Sequence, residues 1–200
     1  MRIVYKGLFK DVSQLPIGVL PENAVKFKAP ETVFKQIAVS VVTFIPAGLL
    51  IALFAFGSYL LHGDWSSVGF KGWGLMWYFV ICIPHEILHA ICFGKGAEAE
   101  LYARPPAWLI ACVKPLSKSR FILMCMLPNI IFGWIPLLVW MLLPYYEGLS
   151  HLLFTASAFG VLLGGGDYMN VFYTLQQQPK GSMQQISGVN SYWFMPKEKN

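Results

Sequence analysis

Residues 85–89 read His85-Glu86-Ile87-Leu88-His89, an H-E-x-x-H pentapeptide inside a strongly apolar stretch. Helical residues four apart share one face, so both imidazoles can reach a single metal ion. Glu86 then sits where a general base acts on a water polarised by that ion. A helical histidine is more commonly a hydrogen-bonded core residue than a ligand, so the pentapeptide alone is only suggestive. Its setting strengthens it, because ionisable side chains at bilayer depth are costly and normally pair, bind ions or serve function.

The setting follows from composition. Of 200 residues, 56% are hydrophobic and only 12% charged, with mean hydropathy +0.55. A soluble domain carries roughly a quarter charged residues, so the chain reads as a membrane protein. No basic n-region, short apolar stretch and small-residue cleavage site opens it, and no cleaved signal peptide is expected. Cys82, Cys92, Cys112 and Cys125 lack C-x-x-C spacing and read as apolar packing rather than a disulfide or metal set. The net charge of +5 does not point to nucleic acid; its distribution reports topology.

About 20 apolar residues cross a bilayer as helix. Four stretches qualify, from about Phe34 to Leu61, Gly72 to Phe93, Phe121 to Leu143 and His151 to Leu175. Fourteen of the 15 Lys and Arg residues fall before or at the start of the first, between the second and third, or after the fourth, with Lys71 the exception. The positive-inside rule places those segments, and both termini, in the cytoplasm. The reading is an all-α membrane protein of four transmembrane helices, with a short re-entrant or β-hairpin-like segment between helices two and three. Residues 1–33 form a cytoplasmic arm punctuated by Pro16, Pro21 and Pro30, residues 34–175 the membrane domain, and residues 176–200 a mobile or surface-lying cytoplasmic tail.

Well inside those spans lie four ionisable residues: His85, Glu86, His89 and Asp167. His85 is nine residues from the helix exit at Gly94, and Asp167 nine from Gln176. At 1.5 Å per residue, both lie about 13–14 Å from the cytoplasmic end of their helices. Asp167 is therefore the expected third ligand. Gly164, Gly165 and Gly166 precede it and permit close helix approach or a local break. Asn129 lies near the same depth and could contact a substrate carbonyl or oxyanion, or hydrogen-bond between helices. Pro84, just before His85, either opens a water-accessible gap or is an ordinary tolerated membrane proline.

These residues resemble the site-2 protease class of intramembrane zinc metalloproteases, which carry H-E-x-x-H on one membrane helix and an Asp on a later one. In that class the Asp sits in an L-D-G or N-P-D-G setting; here the order is Gly165-Gly166-Asp167-Tyr168. That order, the short chain and Pro115-Leu116-Ser117-Lys118 look closer to a related bacterial zincin peptidase membrane family of undefined function. The resemblance spans about residues 72–175. It implies zinc held by His85, His89 and Asp167, with a water in the fourth position whose proton Glu86 takes and later passes to the leaving amine. Ligand histidines bind metal only when neutral, so activity should fall in acid.

Between the second and third spans, residues 107–113 are too apolar for a solvated loop and too short to span. Trp108, Leu109 and Ile110 could hold an extended substrate by strand addition, or Trp108 could anchor the segment at the headgroup level. The expected function is a membrane-embedded zinc endopeptidase cutting a transmembrane or membrane-proximal segment of a membrane protein or peptide. A homo-oligomer or a regulatory membrane partner is left open. The alternative is a non-hydrolytic metal transporter, sensor or scaffold using the same cluster. Transporters usually show internal repeats and a path of ionisable groups, whereas this chain has one polar cluster.

Overall fold

The structure, a computed structural model, describes residues 1–28 and 33–196. Pro30, Lys197 and Lys199, used above to read the arm and the charge distribution, lie outside the described residues. The helices are α1 (Val33–His62), α2 (Trp77–Ile91), α3 (Lys118–Asn129), α4 (Ile135–Leu142), α5 (Leu149–Leu163) and α6 (Gly165–Gln177). The strands are β1 (Arg2–Leu8), β2 (Val25–Lys26), β3 (Glu98–Arg104), β4 (Ala107–Ala111), β5 (Leu116–Ser117), β6 (Met183–Ser187) and β7 (Asn190–Phe194).

The expectation of an all-α chain is therefore wrong. The fold is mixed, with a three-stranded sheet ordered β1-β3-β4 and a four-stranded sheet ordered β2-β7-β6-β5. Nor are there four uninterrupted spanning helices. Among the described residues three are long and apolar enough to cross a membrane: Val41–His62, Gly72–Ile91 and Lys118–Leu142. The last apolar stretch is broken into α5 and α6, bent by 42° at Gly164. Gly164, the residue at the break, has φ −71° and ψ 9°. The three long helices still mark a membrane-associated protein, because their apolar side chains face outward: Leu49, Leu53, Leu60, Phe79 and Val80 are all exposed. In water such a surface would be an aggregation liability.

The chain divides into two compact units. One contains both sheets, α2 from Ile83 onward, α3 up to Cys125, and α6 from Asn170 onward. In its first sheet β1 runs parallel to the central strand β3, and β4 pairs antiparallel on the far side, leaving β4 at an edge. Tyr102 on β3 is buried, and its hydroxyl lies 2.7 Å from the Gln14 carbonyl and 2.6 Å from Glu100 Oε2. Burial first, then the Glu100 hydrogen bond and charge, push the phenol up to about 12. The second sheet takes strands from both ends of the chain. The tail, expected to be mobile or surface-lying, carries the β6–β7 hairpin, and the arm contributes β2 against β7. Amide side chains tie the arm down further: Gln185 Nε2 donates to Val19 O, and Gln177 brackets the Lys28 backbone with one bond each way.

The other unit packs α1, the start of α2, the end of α3, α4, α5 and the start of α6. Ala47, Ala55, Leu137, Trp140 and Val161 form its buried centre. Helix crossing here depends on glycine. A Cβ on Gly160 would lie 2.4 Å from the Phe132 carbonyl oxygen, and one on Gly133 would lie 2.7 Å from the Val161 nitrogen. These are backbone contacts that no side chain could relieve, and small residues let membrane helices approach this closely. Between α3 and α4, residues Ile130–Trp134 form one π-helical turn. Pro136 has no N–H to send back to the Phe132 carbonyl, and the Trp77 indole donates to that carbonyl instead, at 3.2 Å.

Candidate metal centre

Helix α2 runs unbroken through Pro84 and carries the pentapeptide in its last two turns. The His85 and His89 rings stand 4.7 Å apart, as the four-residue spacing requires. Helix α2 ends at Ile91, and the turn that follows closes on Gly94, whose φ of +73° suits a residue without a Cβ. Arg120 caps the same end by donating from Nε to the Cys92 carbonyl. A rigid helix with a closed end therefore presents both histidines.

His89 is buried, and its Nδ1 lies 2.9 Å from the Met124 carbonyl oxygen. A carbonyl can only accept, so Nδ1 carries the proton and Nε2 is left as the basic nitrogen, the arrangement that holds metal-ligating histidines in one tautomer. The sequence explains why that carbonyl is available. In α3 its usual partner would be the N–H four residues on, and that residue is Pro128. Pro128 is the local sequence signal of this contact.

Asp167 lies in the first turn of α6. Asn129 Nδ2 donates to its Oδ2 at 2.9 Å, so the contact seen for Asn129 is a hydrogen bond between helices. Asn129 is 1% exposed, and a Cβ on Gly164 would fall 1.8 Å from its Oδ1. Gly164 therefore makes room for the amide that orients the carboxylate. Gly164→Ala is expected to push Asn129 off Asp167 and weaken zinc binding about 10-fold or more, read by competitive titration against a chromophoric chelator. Unchanged affinity would show that the amide does not orient the ligand.

One ligand atom from each of His85, His89 and Asp167 lies within 4.8 Å of the others, a group able to hold a metal ion. Two imidazole nitrogens and one carboxylate oxygen suit Zn2+ with a position left for a reacting molecule, and the buried His89–Met124 bond is the outer-shell partner such a ligand needs. Glu86, half-buried on the same helix, accepts a hydrogen bond from the Ile110 N–H at 2.8 Å. Trp108, Leu109 and Ile110 all lie in β4. The Trp108 ring packs 6.1 Å from that of Tyr5, across the sheet. All four cysteines are free, and Cys92, Cys112 and Cys125 are buried, consistent with a packing role.

A helix bearing H-E-x-x-H, with a later acid in a group able to hold a metal ion, has the residue types of a zincin-type metal centre. The chain belongs to the family described as Putative zincin peptidase, whose model matches residues 78–183, more than half its length. That match makes it a member of a zinc peptidase family. No curated protein and no solved structure shows a significant match.

Proposed function

We propose that the chain is a membrane-embedded zinc endopeptidase of the site-2 protease type, acting on an extended stretch of a transmembrane or membrane-proximal segment. The observation that carries this reading is the ligand group itself, His85, His89 and Asp167, with Glu86 on the same helix as both histidines. The three long apolar helices support a multi-pass protein, and the distribution of Lys and Arg supports cytoplasmic termini.

Bound zinc would supply Lewis acidity to a substrate carbonyl and to the attacking water. His85 and His89 act as neutral ligands, the latter fixed by Met124 O, and Asp167 is oriented by Asn129. Glu86 takes a proton from the attacking water as its oxygen bonds to the scissile carbonyl carbon. It then holds that proton on its carboxyl and delivers it to the amide nitrogen as the C–N bond breaks. The edge strand β4 offers Trp108 to Ile110 as a pairing partner for the extended substrate.

Replacing Glu86 by Gln separates this reading from metal transport or a purely structural metal. In protein reconstituted into vesicles with a fluorogenic transmembrane peptide, the variant should keep its zinc, measured by elemental analysis. Hydrolysis should fall about 10²–10⁴-fold, the usual contribution of a general base. A variant that cleaves at the wild-type rate would end the proposal.

A further inference from the structure

Glu86 is not simply aimed at the space beside the histidines; its Oε2 takes the Ile110 N–H of strand β4. The register of that strand says which way the N–H points. Ile110 is opposite Leu101, Leu109 opposite Tyr102 and Trp108 opposite Ala103. In an antiparallel pair, alternate residues turn both backbone groups toward the partner strand or away from it. Since the Ile110 N–H is directed at Glu86, the outward set consists of Ile110 and Trp108. Their N–H and C=O groups lie along the free edge of the sheet, which β3 does not use and where β4 ends the strand order.

Those outward groups are the ones an added strand must pair with. The donor at Ile110 is thus wanted twice, by the Glu86 carboxylate and by a carbonyl of any peptide that extends along β4. One N–H cannot serve both with full strength. We propose that the Ile110 N–H is a shared donor: it holds Glu86 in the resting protein and passes to a substrate carbonyl when an extended peptide pairs with β4, releasing the Glu86 carboxylate for proton transfer. The proposal deepens the protease reading and rests on it. It makes Ile110 a positioning residue acting through its backbone, and it makes availability of the base depend on a correctly paired substrate. A water entering without a peptide meets a carboxylate whose Oε2 is already held by a backbone donor, and a helical segment, whose carbonyls are used internally, cannot claim that donor.

The test measures binding rather than turnover. The full zinc-loaded chain, in lipid nanodiscs and labelled with ¹⁵N-isoleucine, is titrated with a capped, uncharged eight-residue Ala/Val peptide. The Ile110 amide is assigned by its loss in Ile110→Val. A charge-assisted hydrogen bond that must be surrendered weakens binding, so Glu86→Ala, which frees the donor beforehand, should bind the peptide about three- to tenfold more tightly than wild type. The Ile110 amide resonance should move in Glu86→Ala, and move again on peptide addition. Ile110→Pro removes the N–H without touching the ladder to β3. It should bind the peptide more weakly, and adding Glu86→Ala to it should yield no further gain. Equal affinities of wild type and Glu86→Ala, or an Ile110 amide unmoved by saturating peptide, would overturn the shared donor; wild-type hydrolysis in the same preparation would then leave the protease reading standing. A zinc-loaded wild type that neither binds nor cleaves peptide would remove the protease reading, and the shared donor with it.

Discussion

Asp167→Ala protein, purified and titrated with zinc, is expected to bind the metal more than about 100-fold more weakly than wild type while keeping its helical content. The loss should exceed the 10–100-fold that follows when a hydrogen-bond partner of a metal ligand is removed, because here the proposed anionic ligand itself is lost. Two histidines on one helix turn supply only two of the donors zinc needs in a tetrahedral site. The third must come from a group whose ligand atom lies within reach, and Asp167 is the residue grouped with His85 and His89. Its removal also strands Asn129, a buried amide whose donor is directed at the carboxylate, and an unsatisfied buried donor costs on the order of 1–3 kcal/mol. Some fall in thermal stability should therefore accompany the loss of metal. Asp167→Asn distinguishes the two effects: it keeps volume and hydrogen bonding but removes the charge, so it should be as stable as wild type and still bind zinc poorly. Full zinc occupancy in both variants at wild-type affinity would mean that the pentapeptide finds its third ligand elsewhere.

The second large effect is expected at a residue that touches no metal. Pro128→Ala should weaken zinc binding about 10–100-fold, although an alanine in a helix interior ordinarily stabilises it relative to proline. The reason is competition for one carbonyl. In the native chain Met124 O lacks the N–H that an α-helix would supply from position 128, and His89 Nδ1 occupies it. Alanine restores that N–H, draws the carbonyl into the α3 ladder, and loosens the hydrogen bond that holds His89 with Nε2 as its basic nitrogen. A more stable helix with a poorer metal site is the signature to look for, by thermal melting of the apo protein alongside zinc titration. If Pro128→Ala raises the melting temperature and leaves zinc affinity unchanged, the His89–Met124 contact does not tune the ligand.

Both effects show where local sequence was informative. Pro128 announces an orphaned carbonyl at position 124, but nothing in the chain says that a histidine 35 residues earlier will take it. Likewise the glycines before Asp167 suggested close approach. Only the packed helices revealed that Gly164 yields its space to the Asn129 amide. The same limit explains the error over the sheets. Val25–Lys26 and Leu116–Ser117 are two-residue strands, too short to leave an alternating pattern, and β1 pairs in parallel with a strand more than ninety residues away. Such pairings are fixed by the partner rather than by propensity.

By itself, the sequence determined what depends on nearby residues and on transfer from water. The four-residue spacing of His85 and His89 set their shared helix face. Low charge and long apolar runs made the chain a membrane-associated one. The cost of burying a carboxylate in such surroundings singled out Asp167. Tertiary structure alone decided what depends on distant backbone groups meeting. It drew residues 25–26 and 183–194 into one sheet, placed β4 at an edge with its Ile110 N–H on Glu86, and gave His89 the carbonyl that Pro128 had left open. Side-chain chemistry is written residue by residue, whereas a hydrogen bond between far-separated backbone groups exists only once the chain has closed the loop between them.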